Sequence, residues 1–397
     1  MKVPFVDLRS MHEEVRSEID AAWKEIVDRS AFVGGPAVAD FERSFAGYCH
    51  APHAVGVSSG TDALRLALQA VGVRAGDLVV TVPHTFIATV EAISQLGASP
   101  VFVDIDPASY TMDPRLVERY LERECAVRNG ALVERRRNRP VTCLLPVDLY
   151  GHPADWEPLV ELAHRYDLKL VEDACQAHGA RYGGRSCGTF GDAAAFSFYP
   201  GKNLGAMGEA GAITTASEEL AERCRVLRDH GQRERYIHVT AEGGNARLDA
   251  LQAVVLTAKL GRLERWNDAR RRVAAWYQGR LPGEPLVLPA ERSGAHHVYH
   301  LYVVQVPHRD EVRRQLDQSG VATGLHYPVP LHLQAAYAAL GHEPGDFPAS
   351  EAVAARGISL PMFPHLTEQQ VDHVASALRL ALERTSERSA VAPVARE

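Results

Sequence analysis

Five lysines occur in the 397 residues, at positions 2, 24, 169, 202 and 259, and arginine supplies the rest of the basic charge. Chemistry that needs a primary amine therefore has few candidates. Lys202 has the most suggestive setting. The run Ser197-Phe198-Tyr199-Pro200-Gly201-Lys202-Asn203 reads as a strand ending at Phe198, then a Pro-Gly turn that presents the lysine, with glycines following at 205, 208 and 211. An amine on a tight turn past a strand's carboxyl end lies at the crevice where α/β sheets hold ligands. With a lowered pKa it can condense with a carbonyl cofactor. Taken alone, the same run also fits a surface lysine in a glycine-rich loop.

Three further segments supply complementary groups. Val171-Glu172-Asp173-Ala174-Cys175-Gln176 places an acidic pair after the apolar stretch Leu168–Val171. A carboxylate beside a pyridinium nitrogen keeps it protonated, which pyridoxal phosphate requires to accept carbanion electrons. Asp173 suits that role; a helix-capping aspartate is the plainer alternative. Ser58-Ser59-Gly60-Thr61-Asp62 lies between a strand and an amphipathic helix. Amides at a helix start bind phosphate, Gly60 permits close approach, and Ser59 and Thr61 add hydroxyls; simple capping would use the same residues. The segment lacks the GxxxxGK[ST] spacing of a nucleotide P-loop. Phe86, in Pro83-His84-Thr85-Phe86, could stack on a flat cofactor ring, or pack in the core. Together the four segments offer an anion cradle, a ring stack, a pyridinium partner and an amine, each at the carboxyl end of a strand.

The elements that must hold these groups follow from hydrophobic patterning. Strands are expected at Ala54–Val57, Leu78–Val82, Pro100–Val103, Val141–Val147, Leu168–Val171, Ala193–Phe198 and Ala210–Thr214. Helical patterns intervene, as at Asp62–Val71 and Ala154–Tyr166. Apolar strands alternating with helices predict a mostly parallel sheet covered on both faces. Residues 10–30 and 36–50 read as helices joined by Gly34-Gly35-Pro36. After residue 246 a long helical stretch, Arg247 to Tyr277, leads to strands at Leu286–Leu288 and His300–Val306 and helices at Arg309–Gln318 and Glu368–Leu382. The expected division is 1–246 for an arm and the large α/β domain, 247–384 for the long helix and a smaller α+β domain, and 385–397 for a disordered tail. Residues 122–140, with Arg135-Arg136-Arg137, read as a solvated loop.

Composition excludes other classes. Charged residues are 23% and hydrophobic ones 46%, an ordinary globular balance. A net charge of −7 argues against a nucleic-acid or anionic-membrane partner. The charged first thirty residues resemble no secretory signal, and Leu78 to Val90 is too short and too interrupted to span a bilayer. Six scattered cysteines without a CxxC pair suit a reduced, cytoplasmic protein and form no metal pattern.

Longer motifs carry a resemblance over nearly the whole chain, from Val3 to about Leu382: SSGTDAL at 58–64, PHTFIAT at 83–89, PVDLYGHPAD at 146–155, VEDACQAHGA at 171–180, FGDAAAFSFYPGKNLGAMGE at 190–209, NARLDALQA at 245–253 and HYPVPLH at 326–332. The chain resembles the DegT/StrS-type sugar aminotransferases, which have the aspartate-aminotransferase fold. The resemblance implies pyridoxal 5′-phosphate bound as an aldimine at Lys202, with Asp173 at the pyridine nitrogen and Gln176 near the ring hydroxyl. It implies Ser59, Gly60, Thr61 and Ser197 around the phosphate, Phe86 on the ring, and His326 and Tyr327 facing the sugar. Asn245 matches an asparagine that reaches the phosphate from the partner subunit, so a homodimer with shared sites is implied. The implied reaction moves an amino group from L-glutamate to a nucleotide-linked keto sugar, and the motifs look most like enzymes that aminate C3 of dTDP-3-keto-6-deoxyhexoses. C4 amination of a dTDP- or UDP-4-keto sugar, or dehydration by a relative of the same fold, are the alternatives; dehydratases replace the lysine by histidine, and Lys202 argues against that route. The chain departs from the family pattern at Asp148, where histidine is usual, at Ala210, where a second glycine is usual, and in the longer 122–140 segment.

Overall fold

The computed structural model describes residues 1–391, with side chains through Thr385. Seven strands form the spine of its large sheet, in the order His53–Val57, Gly211–Thr215, Ala193–Ser197, Lys169–Asp173, Arg139–Leu144, Leu78–Thr81 and Ser99–Phe102. The last five run parallel. They are buried on both faces, which explains why their sequences read as apolar runs without alternation. Gly211–Thr215 is antiparallel to both of its neighbours. Residues 198–210 form the lysine loop instead of a crossover helix, so the chain turns back on itself there.

The Gly60–Ala70 helix packs on Ala193–Ser197 and Gly211–Thr215. Its Ala63, Leu66, Ala67 and Ala70 share one core with Ala193, Ala195 and Ile213. Alanines on the facing strand let the helix sit close, and that closeness brings its start against the end of the strand. The Ala88–Gln95, Trp156–Arg165 and Glu218–Arg228 helices also cover the sheet, as do Pro36–Cys49 and Ala250–Leu260 through Phe41, Phe45, Ala253 and Leu256. In the C-terminal part, Tyr302–Gln305 pairs antiparallel with Gly357–Leu360, and Arg309–Gln318 and Glu368–Val391 pack over that ribbon through Val312, Leu316, Val371, Val374 and Leu378. The first residues join this layer: Val3 bridges Val321 and lies in the same core.

Several expectations need correction. The 10–30 helix is two helices, Leu8–Glu13 and Arg16–Asp28. The 247–277 helix is also two, Ala250–Leu260 and Leu263–Arg280, separated at Gly261-Arg262. Leu286–Leu288 makes only a single bridge, Val287 to Gln305. The 122–140 segment is no plain loop. Cys125–Arg128 and Ala131–Glu134 form a hairpin that adds to the sheet beside Arg139–Leu144. Its turn is Asn129-Gly130, both at positive φ (51° and 79°), a pairing suited to a two-residue hairpin turn. The arginine run occupies the following turn, with Arg135 and Arg136 exposed. The closing helix continues past Thr385 to Val391, where a tail was expected; the rest of that expected tail, 392–397, lies outside the described residues. Among the described residues no helix is long and apolar enough to cross a membrane.

Candidate active site

A cavity of about 740 Å³ opens where the parallel strands end. Residues just past four different strands line it: Phe86 after Leu78–Thr81, Val147 after Arg139–Leu144, Asp173 closing Lys169–Asp173, and Ser197 closing Ala193–Ser197. Ser59, Gly60, Thr61, Gln176, Lys202, His326 and Tyr327 also face it. The structure thus gathers into one cavity ten of the eleven residues singled out in the sequence.

At one wall the Gly60–Ala70 helix begins. Ser59 is extended, and its hydroxyl accepts from the Asp62 amide at 3.1 Å, capping the helix. The first amides of a helix have no partner within it and carry its positive dipole end, so Gly60 and Thr61 present an anion-binding edge. The space admits no larger residue: a Cβ on Gly60 would lie 2.4 Å from Ser197 Cβ, and one on Gly211 would lie 2.3 Å from the Ser59 carbonyl oxygen. Two backbones meet there, with the Ser197 and Thr61 side chains at the rim.

Asp173 is 4% exposed. Its Oδ2 accepts from Thr89 Oγ1 at 2.8 Å and its Oδ1 from the Cys175 amide at 3.2 Å. Burial raises its pKa, while those hydrogen bonds and the Lys202 charge pull against the rise. Lys202 is half-buried on its loop, its amide bonded to the Tyr199 carbonyl at 2.8 Å. Burial lowers its pKa, against the opposing pull of Cys175 and Asp173. A desolvated amine gives up its proton more readily than a surface lysine, as condensation with a carbonyl demands.

The opposite wall is built differently. Gln176 Oε1 accepts from the Tyr150 amide at 2.8 Å, and its Nε2 donates to Tyr327 Oη at 3.2 Å. The Phe86 ring lies 5.6 Å from that of Tyr327, tilted by 38°. His326 Nδ1 sits 2.8 Å from Ser359 Oγ, and its ring stacks on Phe5 at 5.7 Å. Burial and the Lys202 charge push its pKa down to about 4, so this imidazole is neutral at physiological pH.

Asn245 is the exception. It is exposed and bridges Asp229, outside the cavity of its own chain. The structure also adds residues that sequence reasoning passed over. Thr89 is one: it lies inside the motif PHTFIAT, one helical turn from Thr85, to which it bonds at 2.9 Å. Phe5, His300 and Met362 are others; no local signal marks them, because they come from the chain's start and from the C-terminal layer.

The sequence profile of the DegT/DnrJ/EryC1/StrS aminotransferase family matches residues 13–379. A dTDP-3-amino-3,4,6-trideoxy-alpha-D-glucose transaminase from Streptomyces venezuelae is 46% identical over 387 residues, 97% of this chain and 98% of that protein. The crystal structure of S. venezuelae DesV superposes with a TM-score of 0.89 at 46% identity, covering 96% of this chain and 99% of that one. A Bacillus subtilis structure with bound cofactor PMP aligns with a TM-score of 0.84 at 29% identity, covering 96% and 85%. Fold and cavity define an aminotransferase that works with pyridoxal 5′-phosphate. The chain belongs to the DegT/DnrJ/EryC1/StrS aminotransferase family.

The residues present fit that cofactor. The backbone contact at Gly60 leaves an amide-lined edge for a phosphate, Asp173 is a buried carboxylate locked by two donors, and Lys202 opens on the same cavity.

Proposed function

We propose that this cavity transfers the amino group of L-glutamate to a nucleotide-linked keto-deoxysugar, at C3 of a dTDP-3-keto-6-deoxyhexose. The observation that carries the reading is the convergence of Lys202, Asp173 and the Gly60 cradle on one cavity. The C3 position and the dTDP carrier rest on the S. venezuelae relative, a transaminase of a dTDP-linked 3-amino sugar.

When bound, pyridoxal phosphate supplies a carbonyl that condenses with amines and a ring that withdraws electrons from the adjoining carbon. The chain's own residues do the rest. Gly60 and Thr61 amides, with the Ser59, Thr61 and Ser197 hydroxyls, hold the phosphate. Asp173 would keep a proton on the ring nitrogen, and Thr89 fixes that carboxylate so that it need not reorganise. Phe86 would cover one ring face and Gln176 would meet the ring hydroxyl. Lys202 Nζ would accept the proton of the substrate carbon and later donate it back. One amine can serve as base and then as acid because it alternates between the two forms. His326 and Tyr327 contact the sugar. Asn245 completes the phosphate site of a second copy, and the exposed Tyr236, Ile237 and Val239 on the neighbouring segment offer apolar surface for that contact.

The test is a half reaction. Wild-type enzyme mixed with L-glutamate should lose its visible absorbance and release 2-oxoglutarate, and Lys202→Ala should do neither. With a keto-sugar nucleotide the product should carry a new nitrogen. A deoxygenated product without nitrogen, or a Lys202→Ala enzyme that still turns over, ends this assignment.

A further inference from the structure

Asn203, the residue after Lys202, is fully buried, and its amide is pinned at both ends. Nδ2 donates to Asn267 Oδ1 at 2.9 Å and to the Val298 carbonyl at 3.1 Å. Asn267 is itself oriented, its Nδ2 donating to the His178 carbonyl at 2.8 Å. Two oxygen acceptors on one side establish which end of the Asn203 amide is nitrogen. The other end is an oxygen, which only accepts, and it lies 3.2 Å from His300 Nδ1. That ring nitrogen must therefore carry the hydrogen.

His300 is neutral. Burial, then the charge of Lys202, with Arg270, His326 and His178 adding to it, holds its pKa well below the ordinary value. A neutral imidazole has one N–H, and Asn203 has claimed it, so Nε2 is a bare lone pair. His300 is half-buried and lines the same cavity as Lys202. Its Nδ1 edge is turned to the buried Asn203, which leaves the Nε2 edge for the cavity. Lys202 and His300 are thus tied to one hub, the first through the backbone and the second through a hydrogen bond.

We propose that His300 is a positioning residue for Lys202, its bare Nε2 accepting a hydrogen bond from the lysine amino group and so setting the direction in which that group takes and returns its proton. This rests on the reading of Lys202 as the proton carrier. A donor whose direction is preset loses less orientational freedom at the moment of transfer.

Two measurements test it. The first needs no turnover: nitrogen-15 spectra of histidine-labelled holoenzyme, with His300 assigned by the signals missing from His300→Gln. Nδ1 should be protonated and Nε2 bare, unchanged from about pH 6 to 8. A protonated Nε2, or a ring that titrates at an ordinary histidine value, overturns the proposal. The second is the glutamate half reaction by stopped flow. His300→Phe keeps a ring but offers no lone pair; the rate should fall roughly 10- to 100-fold, with a larger isotope effect from Cα-deuterated glutamate and little change in apparent KM. His300→Gln, whose amide oxygen accepts, should regain part of that loss and serves as the test where His300→Phe fails to fold. Rates and isotope effects equal to wild type in these variants overturn the proposal while leaving the aminotransferase reading intact. A wild-type enzyme inert toward glutamate defeats both.

Discussion

Glu172 and Asp173 are neighbours in one strand, yet they do different work, because successive strand residues point to opposite faces. Asp173 meets the cavity. Glu172 turns into the core, where its Oε1 accepts from the Gly188 amide at 2.5 Å and its Oε2 from the Phe190 amide at 3.2 Å. There it meets Asp148, whose Oδ1 accepts from the Ala154 amide at 2.7 Å and Trp156 Nε1 at 3.2 Å. Two wholly buried carboxyls in contact cannot both ionise, so the pair holds a proton. Burial pushes Asp148 up to about 6 and Glu172 well above its ordinary value. The unfolded chain ionises Asp148 from 3.8 upward, whereas in the folded chain Asp148 keeps its proton until about 6. Stability from this pair is therefore fully present below the unfolded pKa and declines as pH rises through the folded one. Asp148→Asn keeps an oxygen for both donors and adds an N–H for Glu172. Its melting temperature should gain on wild type between pH 5 and 7.5, by a difference worth about 1.5 kcal/mol, since only the rise from pH 5 to the folded value of about 6 falls inside that window. Parallel melting curves across that range would exclude the shared proton. The sequence marked Asp148 as a departure and Glu172 as half of an acidic pair, but their contact joins two strands and no local pattern announces it.

At the scale of elements, the phosphate edge depends on how closely one helix approaches one strand. The start of Gly60–Ala70 touches the end of Ala193–Ser197 with no room for a methyl group. Gly60→Ala should push the two apart, costing about 1–3 kcal/mol of stability and loosening cofactor retention about tenfold, both read from melting temperature and bound-cofactor absorbance. Gly47→Ala, which meets nothing within 4 Å inside the Pro36–Cys49 helix, should stabilise slightly and leave the cofactor alone. A Gly60→Ala enzyme that matches Gly47→Ala on both counts would show the contact to be unimportant. Strands here were legible because most of their residues are buried and so read as apolar runs, and short helices because their buried residues recur at helical spacing, as Trp156, Leu159, Leu162 and Ala163 do. Helix breaks at Glu14-Val15 and Gly261-Arg262 were not, since helical periodicity carries across a short interruption. The hairpin at 125–134 was hidden by its charged flanks, although Asn129-Gly130 named its turn.

For the molecule as a whole, ten candidate residues converge on one cavity, and Asn245 stands apart from them. The proposed sharing of sites between two copies has a clear consequence. Lys202→Ala and Asn245→Ala, each deficient alone, should complement when subunits are mixed and reassembled. A mixed dimer holds one site with its own lysine and the partner chain's asparagine, so a random mixture should recover roughly a quarter of wild-type activity, since about half of its dimers are mixed and each carries one intact site. Absence of recovery in a mixture shown by sedimentation to contain mixed dimers would place Asn245 outside the site.

Local chemistry was readable from residue types in order: an amine on a turn, a carboxylate past an apolar strand, a glycine at a helix start. Those features are short-range, since turn geometry, capping and strand burial each depend on a few neighbours. What needed three dimensions was whatever depends on residues far apart in the chain. Phe5 against His326, Asn203 between Asn267 and His300, and Asp148 beside Glu172 are contacts that only packing creates, and packing also decides which of two adjacent acids faces the substrate and which is locked in the core.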